Sequence, residues 1–397
     1  MTTRHVVVIG GGYAGLTAAL RVSRSHRVTL IDATGTFTER IRLHERVAGL
    51  TGRPGTPATS VPLAELVAGR PITTVTARVT ALAPGRRTVG THDGREFTYD
   101  SLVYALGSRT DTSRVPGANE HAYTLEHAAE LNGRLLDGRG VAVVGGGLTG
   151  VEVAAELAEA GGGASPVTLV TGGEPAPGLS AKGRAHVTAT LERLGARVRA
   201  GTRVTAVHAG GLSTDAGEIA AGAVLWTASF AVPTLAADAG LAVDGRGRAL
   251  VDAALRSVSH PDVYVVGDAA RVEVPGVGEL RMACATAMPA GAHAAGAMEE
   301  AARGAEPTPF RFRFLGQCVG LGRTDGVIQL VRADDSPYGP VVTGRAAARF
   351  NEWVNRYPLF SLRGERRRPG SYRWAKSRAS GRTAPGTAAP ADARPGS

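Results

Sequence analysis

The chain is poor in the residues that build several common kinds of site. Its 397 residues include two cysteines, Cys284 and Cys318, too few for a disulfide framework, and no His/Cys group has metal-ligand spacing. No metal is expected. Lysine is confined to Lys182 and Lys376 while Ala, Gly and Arg abound, which reads as the codon bias of a GC-rich genome rather than a selected surface. Apolar runs are strand-length and broken by Gly, Arg or Thr, well short of the roughly 18 residues of a membrane span. The opening "MTTRHVVVIGGG" has too few apolar residues before its glycines for a signal peptide, and a cytoplasmic protein is expected.

Charge is present in excess but unevenly. The formal net charge is +10, and residues 363–397 carry nine Lys/Arg against two Asp/Glu, which leaves the remainder nearly balanced. That stretch is rich in Arg, Pro, Gly, Ala and Ser and is expected to be a disordered basic tail. Such a tail confers only weak, salt-sensitive affinity for nucleic acid, and no nucleic-acid partner is expected. The length suggests two or three domains.

One motif occurs twice. "VVVIGGGYAGLTAAL" from Val6 and "VAVVGGGLTGVEVAAEL" from Val141 each read as a β-branched strand, a Gly-x-Gly-x-x-Gly turn and an apolar-periodic helix. The glycines are Gly10, Gly12 and Gly15, then Gly145, Gly147 and Gly150. In such a turn the first glycine permits the tight bend and the second lets backbone approach a pyrophosphate. The third lets the helix pack close to the strand, with the phosphate at the helix N-terminus. After the first copy, "RVTLIDA" places Asp32 22 residues beyond Gly10, where an acid accepts from a ribose 2′-hydroxyl. After the second, "PVTLVTG" places Thr171 at that position, so the second unit lacks the acid and should discriminate only modestly between NADH and NADPH, in favour of NADH. Lys182 and Arg184 are candidates for a 2′-phosphate clamp, and Glu174 for a replacement acid. Two units 135 residues apart imply an α/β chain with two Rossmann-like dinucleotide-binding domains.

Four motifs in order resemble the two-dinucleotide-domain flavoprotein reductases, and within them the type II NADH dehydrogenase and apoptosis-inducing-factor-like branch. They are the first glycine turn, "YDSLVYALGSRTD" from Tyr99, the second glycine turn with "AVLWTASF" from Ala223, and "SHPDVYVVGDAA" from Ser259. Leu106 stands where the family has Thr and Ser229 where it has Gly. The resemblance implies a glutathione-reductase-like architecture: an FAD domain of residues 1–110 and 240–318, an inserted nicotinamide domain of 111–239, a C-terminal segment of 319–362 and the tail beyond. FAD contacts are expected at Gly10, Gly12, Tyr13, Ala14, Gly15, Asp32, Arg42, Val79, Ala105, Gly107, Gly267, Asp268 and Met288. NADH, or NADPH, is expected at Gly145, Gly147, Leu148, Gly150, Thr171 and Ala228. Thr149 and Glu152 are expected beside the nicotinamide and flavin as catalytic groups; Glu152 is open to a second reading, a first-turn acid favoured by the helix dipole.

The implied reaction is hydride transfer from NAD(P)H to FAD, followed by delivery of electrons to a quinone or another small-molecule acceptor. Where related disulfide reductases carry a redox cysteine pair, this chain has "ERIRLHERVAG" from Glu39, so no thiol relay operates there and both cysteines read as inert. Arg40, Arg42 and His44 are either a flavin-pocket wall or a solvated helix face. The acceptor segment "ATAMPAGAHAAG" from Ala285 lacks the paired glutamines of quinone-reducing relatives. A redox sensor and a reductase of a protein electron carrier remain as alternatives. Phe350, Trp353, Val354 and Tyr357 fall on one helical face with Arg345, Arg349 and Arg356 beside it. That pattern fits contact with the inner face of a membrane, a homodimer contact or packing on a sheet.

Overall fold

A computed structural model describes residues 3–49, 59–127, 138–162 and 165–378. The first glycine unit folds as β1 (His5–Ile9), α1 (Tyr13–Val22) and β2 (Arg27–Asp32), followed by a short helix α2 (Leu43–Val47), then β3 (Ile72–Thr76) and β4 (Ser101–Tyr104). The chain leaves this unit and builds β5 (Ala122–Tyr123), β6 (Val141–Val144), α3 (Leu148–Gly161), β7 (Val167–Val170), α4 (Ala181–Arg193), β8 (Ala196–Arg199) and β9 (Ala223–Trp226). It returns with β10 (Val263–Val265) and the long helix α5 (Cys284–Ala302). An antiparallel meander, β11 (Gly316–Gly320), β12 (Gly326–Val331) and β13 (Pro337–Thr343), leads into α6 (Arg345–Arg367).

Two parallel sheets result, ordered β10-β4-β1-β2-β3 and β5-β9-β6-β7-β8. The central strands are apolar throughout because both faces are covered: in the second unit Val141 and Val143 pack with Val151 and Val153 of α3, and Ala142 and Val144 with Val207 and Leu212 of a separate antiparallel meander; Val6 to Ile9 are all 1% exposed or less. In each sheet the glycine strand lies between the strand that follows it and one reached by a long excursion. The crevice at the carboxyl end of such a strand is where doubly wound sheets bind ligands.

Arg109–Thr110 pairs with Phe230–Ala231, so the outgoing and returning chains cross side by side. Leu235 and Ala236 already belong to the first core, and the return therefore comes a few residues before the expected boundary at 239/240. The C-terminal segment straddles both units: Val331 and Leu362 pack in the first core, Val319 and Val327 in the second.

The expected tail needs correction over residues 363–378. Helix α6 runs on to Arg367, and Glu365 is completely buried. Its carboxylate accepts from Arg21 Nε at 2.6 Å, Gly370 N at 2.7 Å and Tyr372 N at 2.8 Å. Trp374 donates to the Arg311 carbonyl at 2.8 Å and its ring stacks on Tyr372. Buried apolar and charge-paired contacts hold this segment despite its basic composition, and residues 379–397 lie outside the described residues. The same helix inverts the usual pattern, burying Asn351, Asn355, Ser361 and Glu365 and exposing Phe350, Trp353, Tyr357 and Phe360. Among the described residues no helix is long and apolar enough to cross a membrane.

Candidate functional site

The three glycines of the first loop have three different reasons to be glycine. Gly10 has φ +98°, and a Cβ there would run into the Ala105 carbonyl at the end of β4. A Cβ at Gly15 would strike the carbonyl of Gly10, so this position sets the helix-to-strand approach. At Gly12 the φ is −77° and a Cβ would meet nothing within 4 Å; its surroundings are open. Asp32, at the end of β2, holds the loop: Oδ2 accepts from Gly11 N at 2.8 Å while Oδ1 accepts from Thr34 N at 2.8 Å.

The second loop repeats this logic. Gly145 has φ +123°, and a Cβ there would lie 2.7 Å from Thr227 Oγ1 and 2.8 Å from Ala228 N. A Cβ at Gly150 would strike the Gly145 carbonyl, whereas Gly147, with φ −66°, faces open space. The buried Thr171 abuts Gly146, where a Cβ would collide with Oγ1. Leu148 opens α3, half-buried beside the loop. Arg184 donates to the Leu179 carbonyl at 2.7 Å, which occupies one of the two cations considered for a phosphate clamp.

The first loop opens into a cavity of ≈ 520 Å³; of the second loop only Thr149 lines it, and Gly145, Gly147, Leu148, Gly150, Thr171 and Ala228 are not part of its wall. Gly10, Gly12, Tyr13, Ala14, Asp32, Val79, Ala105, Gly107, Gly267 and Asp268 line it, and Thr149 and Thr227 reach it from the second unit. Asp268 accepts from Ser108 Oγ at 2.6 Å, and burial pushes its carboxyl above the ordinary value. Arg40 also lines the cavity, tethered to Glu126 at 2.9 Å. An uncapped helix N-terminus, an open cradle at Gly12 and an acid at each end suit an elongated dinucleotide, so the residues present fit FAD.

Of the expected flavin contacts, Gly15, Arg42 and Met288 do not line this cavity, nor does His44, for which a pocket wall and a solvated face were both open. Arg42 is 1% exposed and points away into a cluster of carboxylates, donating to Glu45 at 2.8 Å and Glu352 at 3.0 Å, with Glu39 at 3.7 Å. A buried guanidinium is held where acids surround it, and α6 supplies one of them. His44 lines a second cavity instead, and burial pushes its imidazole down to about 4. Met288 is buried in the first core, while Met282, Ala283, Cys284 and Ala287 form the wall. Sequence reasoning also missed Leu43, Leu125, Phe230, Pro233 and Leu235 in the lining; Phe230 ends the motif of the returning strand, and the others belong to no recognised motif. Cys284 is half-buried at the cavity, with burial pushing its thiol up to about 11. Glu152 stands one turn beyond Thr149 and accepts from Gly320 N at 3.0 Å on β11. Burial, opposed by that hydrogen bond and reinforced by Glu156 and Glu45, pushes its carboxyl up to about 8.

Residues 4–300 match the model of the pyridine nucleotide-disulphide oxidoreductase family. The chain belongs to that family. An NADH dehydrogenase-like protein of Mycobacterium tuberculosis is 31% identical over 320 residues, covering 73% of this chain and 78% of that protein. The demethylphylloquinone reductase of Synechocystis is 28% identical over 90% of this chain and 93% of its own. The structure of NDH2 from Plasmodium falciparum in complex with NADH superposes with a TM-score of 0.77 at 16% identity, covering 93% and 99% of the two chains, a likeness of fold. This oxidoreductase uses FAD and takes its electrons from NAD(P)H.

Proposed function

We propose that the chain is an NAD(P)H:quinone oxidoreductase, with FAD on the first glycine loop and the nicotinamide nucleotide on the second. The observation that carries this reading is the cavity that the first loop lines and that Thr149, beside the second loop, reaches from the other unit, in a chain without a cysteine pair beside the first loop. When bound, FAD would supply two-electron chemistry between the hydride donor and the acceptor. The protein's part is to bind and orient. Gly12 and the free N–H groups of α1 would receive the pyrophosphate, Asp32 a ribose hydroxyl, and Asp268 the ribityl region. Thr149 would touch the reacting rings, and Glu152 would hold a proton close by.

Quinone as the acceptor is supported by the reductases of quinones among the relatives and by the apolar wall of Leu43, Leu125, Leu235 and Ala287. The outward row Phe350, Trp353, Tyr357 and Phe360 on α6, 38–72% exposed, with Arg345, Arg349 and Arg356 near it, suits shallow insertion into an anionic lipid surface. That would bring the enzyme to a membrane-dissolved acceptor. The test is anaerobic stopped-flow: reduction of the flavoprotein by NADH or NADPH, then reoxidation by a soluble quinone, a ferredoxin or oxygen. Rapid turnover with quinone is expected. Turnover with the protein carrier alone, or a reduced state that no acceptor discharges, would overturn the assignment in favour of a carrier reductase or a sensor.

A further inference from the structure

The second cavity, of ≈ 390 Å³, lies between α2, α3, β11 and α6, and its buried members are polar groups that nothing in the chain satisfies. Asn351 and Asn355, one turn apart on α6, line it and are 7% and 8% exposed. Neither carboxamide has a hydrogen-bond partner among the described residues. Glu45 and Glu156, 1% and 4% exposed, line it too, and one carboxyl oxygen of each, Oε2, is unpartnered. Buried amides and carboxylates left in this way cost free energy until a partner reaches them.

The mouth carries the opposite charge. The exposed members of the lining are Arg323, Arg349, Trp353 and Arg356. Arg356 is tied to Glu352 at 2.6 Å, whereas Arg323 Nη1 stands 3.6 Å from both Glu45 and Glu156, longer than a hydrogen bond. Arg349 pairs with no acid among the described residues.

This polarity selects the occupant. An anion alone would meet Glu45 and Glu156 at the floor, and a cation alone would have to pass three guanidinium groups. A zwitterion suits both ends. A primary ammonium has three N–H donors for the two carboxylates and an Asn carbonyl, while an anionic group a few bonds away stays with the arginines. Burial pushes the Glu156 carboxyl up to about 7, and an ammonium beside it would keep it ionised. Trp353 indicates the source: it belongs both to the cavity and to the outward row with Phe350, Tyr357 and Phe360, so the mouth opens at the edge of the face that would rest on lipid.

We propose that the second cavity binds an aminoalkyl phosphodiester, the headgroup of phosphatidylethanolamine in a bilayer, with its ammonium among Glu45, Glu156 and Asn355 and its phosphate on Arg323 and Arg349. This inference rests on the membrane reading of α6. The quaternary ammonium of phosphatidylcholine has no N–H to donate and cannot take the same place.

The test uses the FAD-loaded full chain and co-sedimentation with vesicles of equal parts phosphatidylglycerol and either phosphatidylethanolamine or phosphatidylcholine. Wild type should bind the ethanolamine vesicles roughly tenfold or more tightly. Glu156→Gln and Asn355→Ala should lose that preference yet still bind both vesicles, whereas Phe360→Ser should weaken both alike and keep it. Calorimetry with glycerophosphoethanolamine and glycerophosphocholine probes the cavity without a bilayer: only the first should bind, and not to Glu156→Gln. Equal binding of wild type to the two vesicles, or a preference that survives both cavity variants, overturns the headgroup site and leaves the membrane reading standing. Binding to neither vesicle removes the membrane reading. If glycerophosphoethanolamine then still binds, the cavity takes a free aminoalkyl phosphate and the lipid assignment is overturned; if it does not, the cavity holds water only and the whole proposal falls.

Discussion

The open position at Gly12 lets cofactor binding be separated from folding by one substitution, Gly12→Asp. Gly12 caps α1 with φ −77° and ψ −168°, ordinary extended backbone, and no side chain caps the helix. A Cβ there would meet nothing within 4 Å, so aspartate enters without strain. Its carboxylate can accept from the free N–H groups of the first turn and faces the positive end of the helix dipole. Together these should stabilise the apoprotein by a few tenths to about 1 kcal/mol. The same carboxylate would occupy the place of the pyrophosphate. Like charges about 4 Å apart cost about 1 kcal/mol in water and about 4 kcal/mol at an effective dielectric constant of 20. A loss near the upper figure weakens FAD binding about a thousandfold. The assay is thermal unfolding of the apoprotein with FAD titrated back. Wild type should gain about 2.7 kcal/mol at a hundredfold excess over Kd; the variant should start at or slightly above wild type and gain nothing. A variant that keeps stoichiometric flavin through gel filtration refutes the cradle. An apoprotein destabilised by more than about 1 kcal/mol refutes the claim that this glycine serves binding rather than folding.

Gly147, equally open, provides the complementary case: Gly147→Asp should retain FAD but lower kcat/KM for NAD(P)H about a hundredfold or more, and unchanged reduction kinetics would remove the nucleotide from the second loop. Arg42→Leu leaves Glu39 and Glu45 buried without their cation and should cost about 3–5 kcal/mol at pH 8 by urea unfolding. Burial pushes the Glu39 carboxyl up to about 7. Its contribution to stability is therefore complete below the ordinary carboxylate value and lost as pH rises through about 7, so the penalty should shrink towards pH 5; equal penalties at both pH values would contradict the cluster. Thr171→Asp restores an acid nearly isosteric with threonine, adding an acceptor for the 2′-hydroxyl and repelling a 2′-phosphate. The ratio of kcat/KM for NADH over NADPH should rise about tenfold, and a wild type already strongly selective for NADPH would defeat the argument.

The two glycine turns were legible from the residues alone because there the backbone dictates the side chain. A left-handed φ at Gly10 and Gly145 and the close helix approach at Gly15 and Gly150 exclude any Cβ, so residue type and geometry are tied within six positions. Asp32 was legible for a related reason: it closes a strand whose apolar run announces its carboxyl end, where the sheet opens, whereas Asp268 was expected through the family resemblance. Those local rules determined the fold class.

Groups that depend on distant partners were not legible. Arg42 looked available to a flavin until α6 delivered Glu352 from 310 residues away. Residues 363–378 read as a solvated tail because their composition is polar and basic; Arg21, 344 positions from Glu365, neutralises a carboxylate that no local pattern could show to be buried. His44 and Glu156 were placed on the second cavity by α2, α3 and α6 packing together. Spacing along a helix or turn is set by the sequence through bond geometry, whereas desolvation and charge pairing across the molecule arise only when separate segments exclude water from the same space.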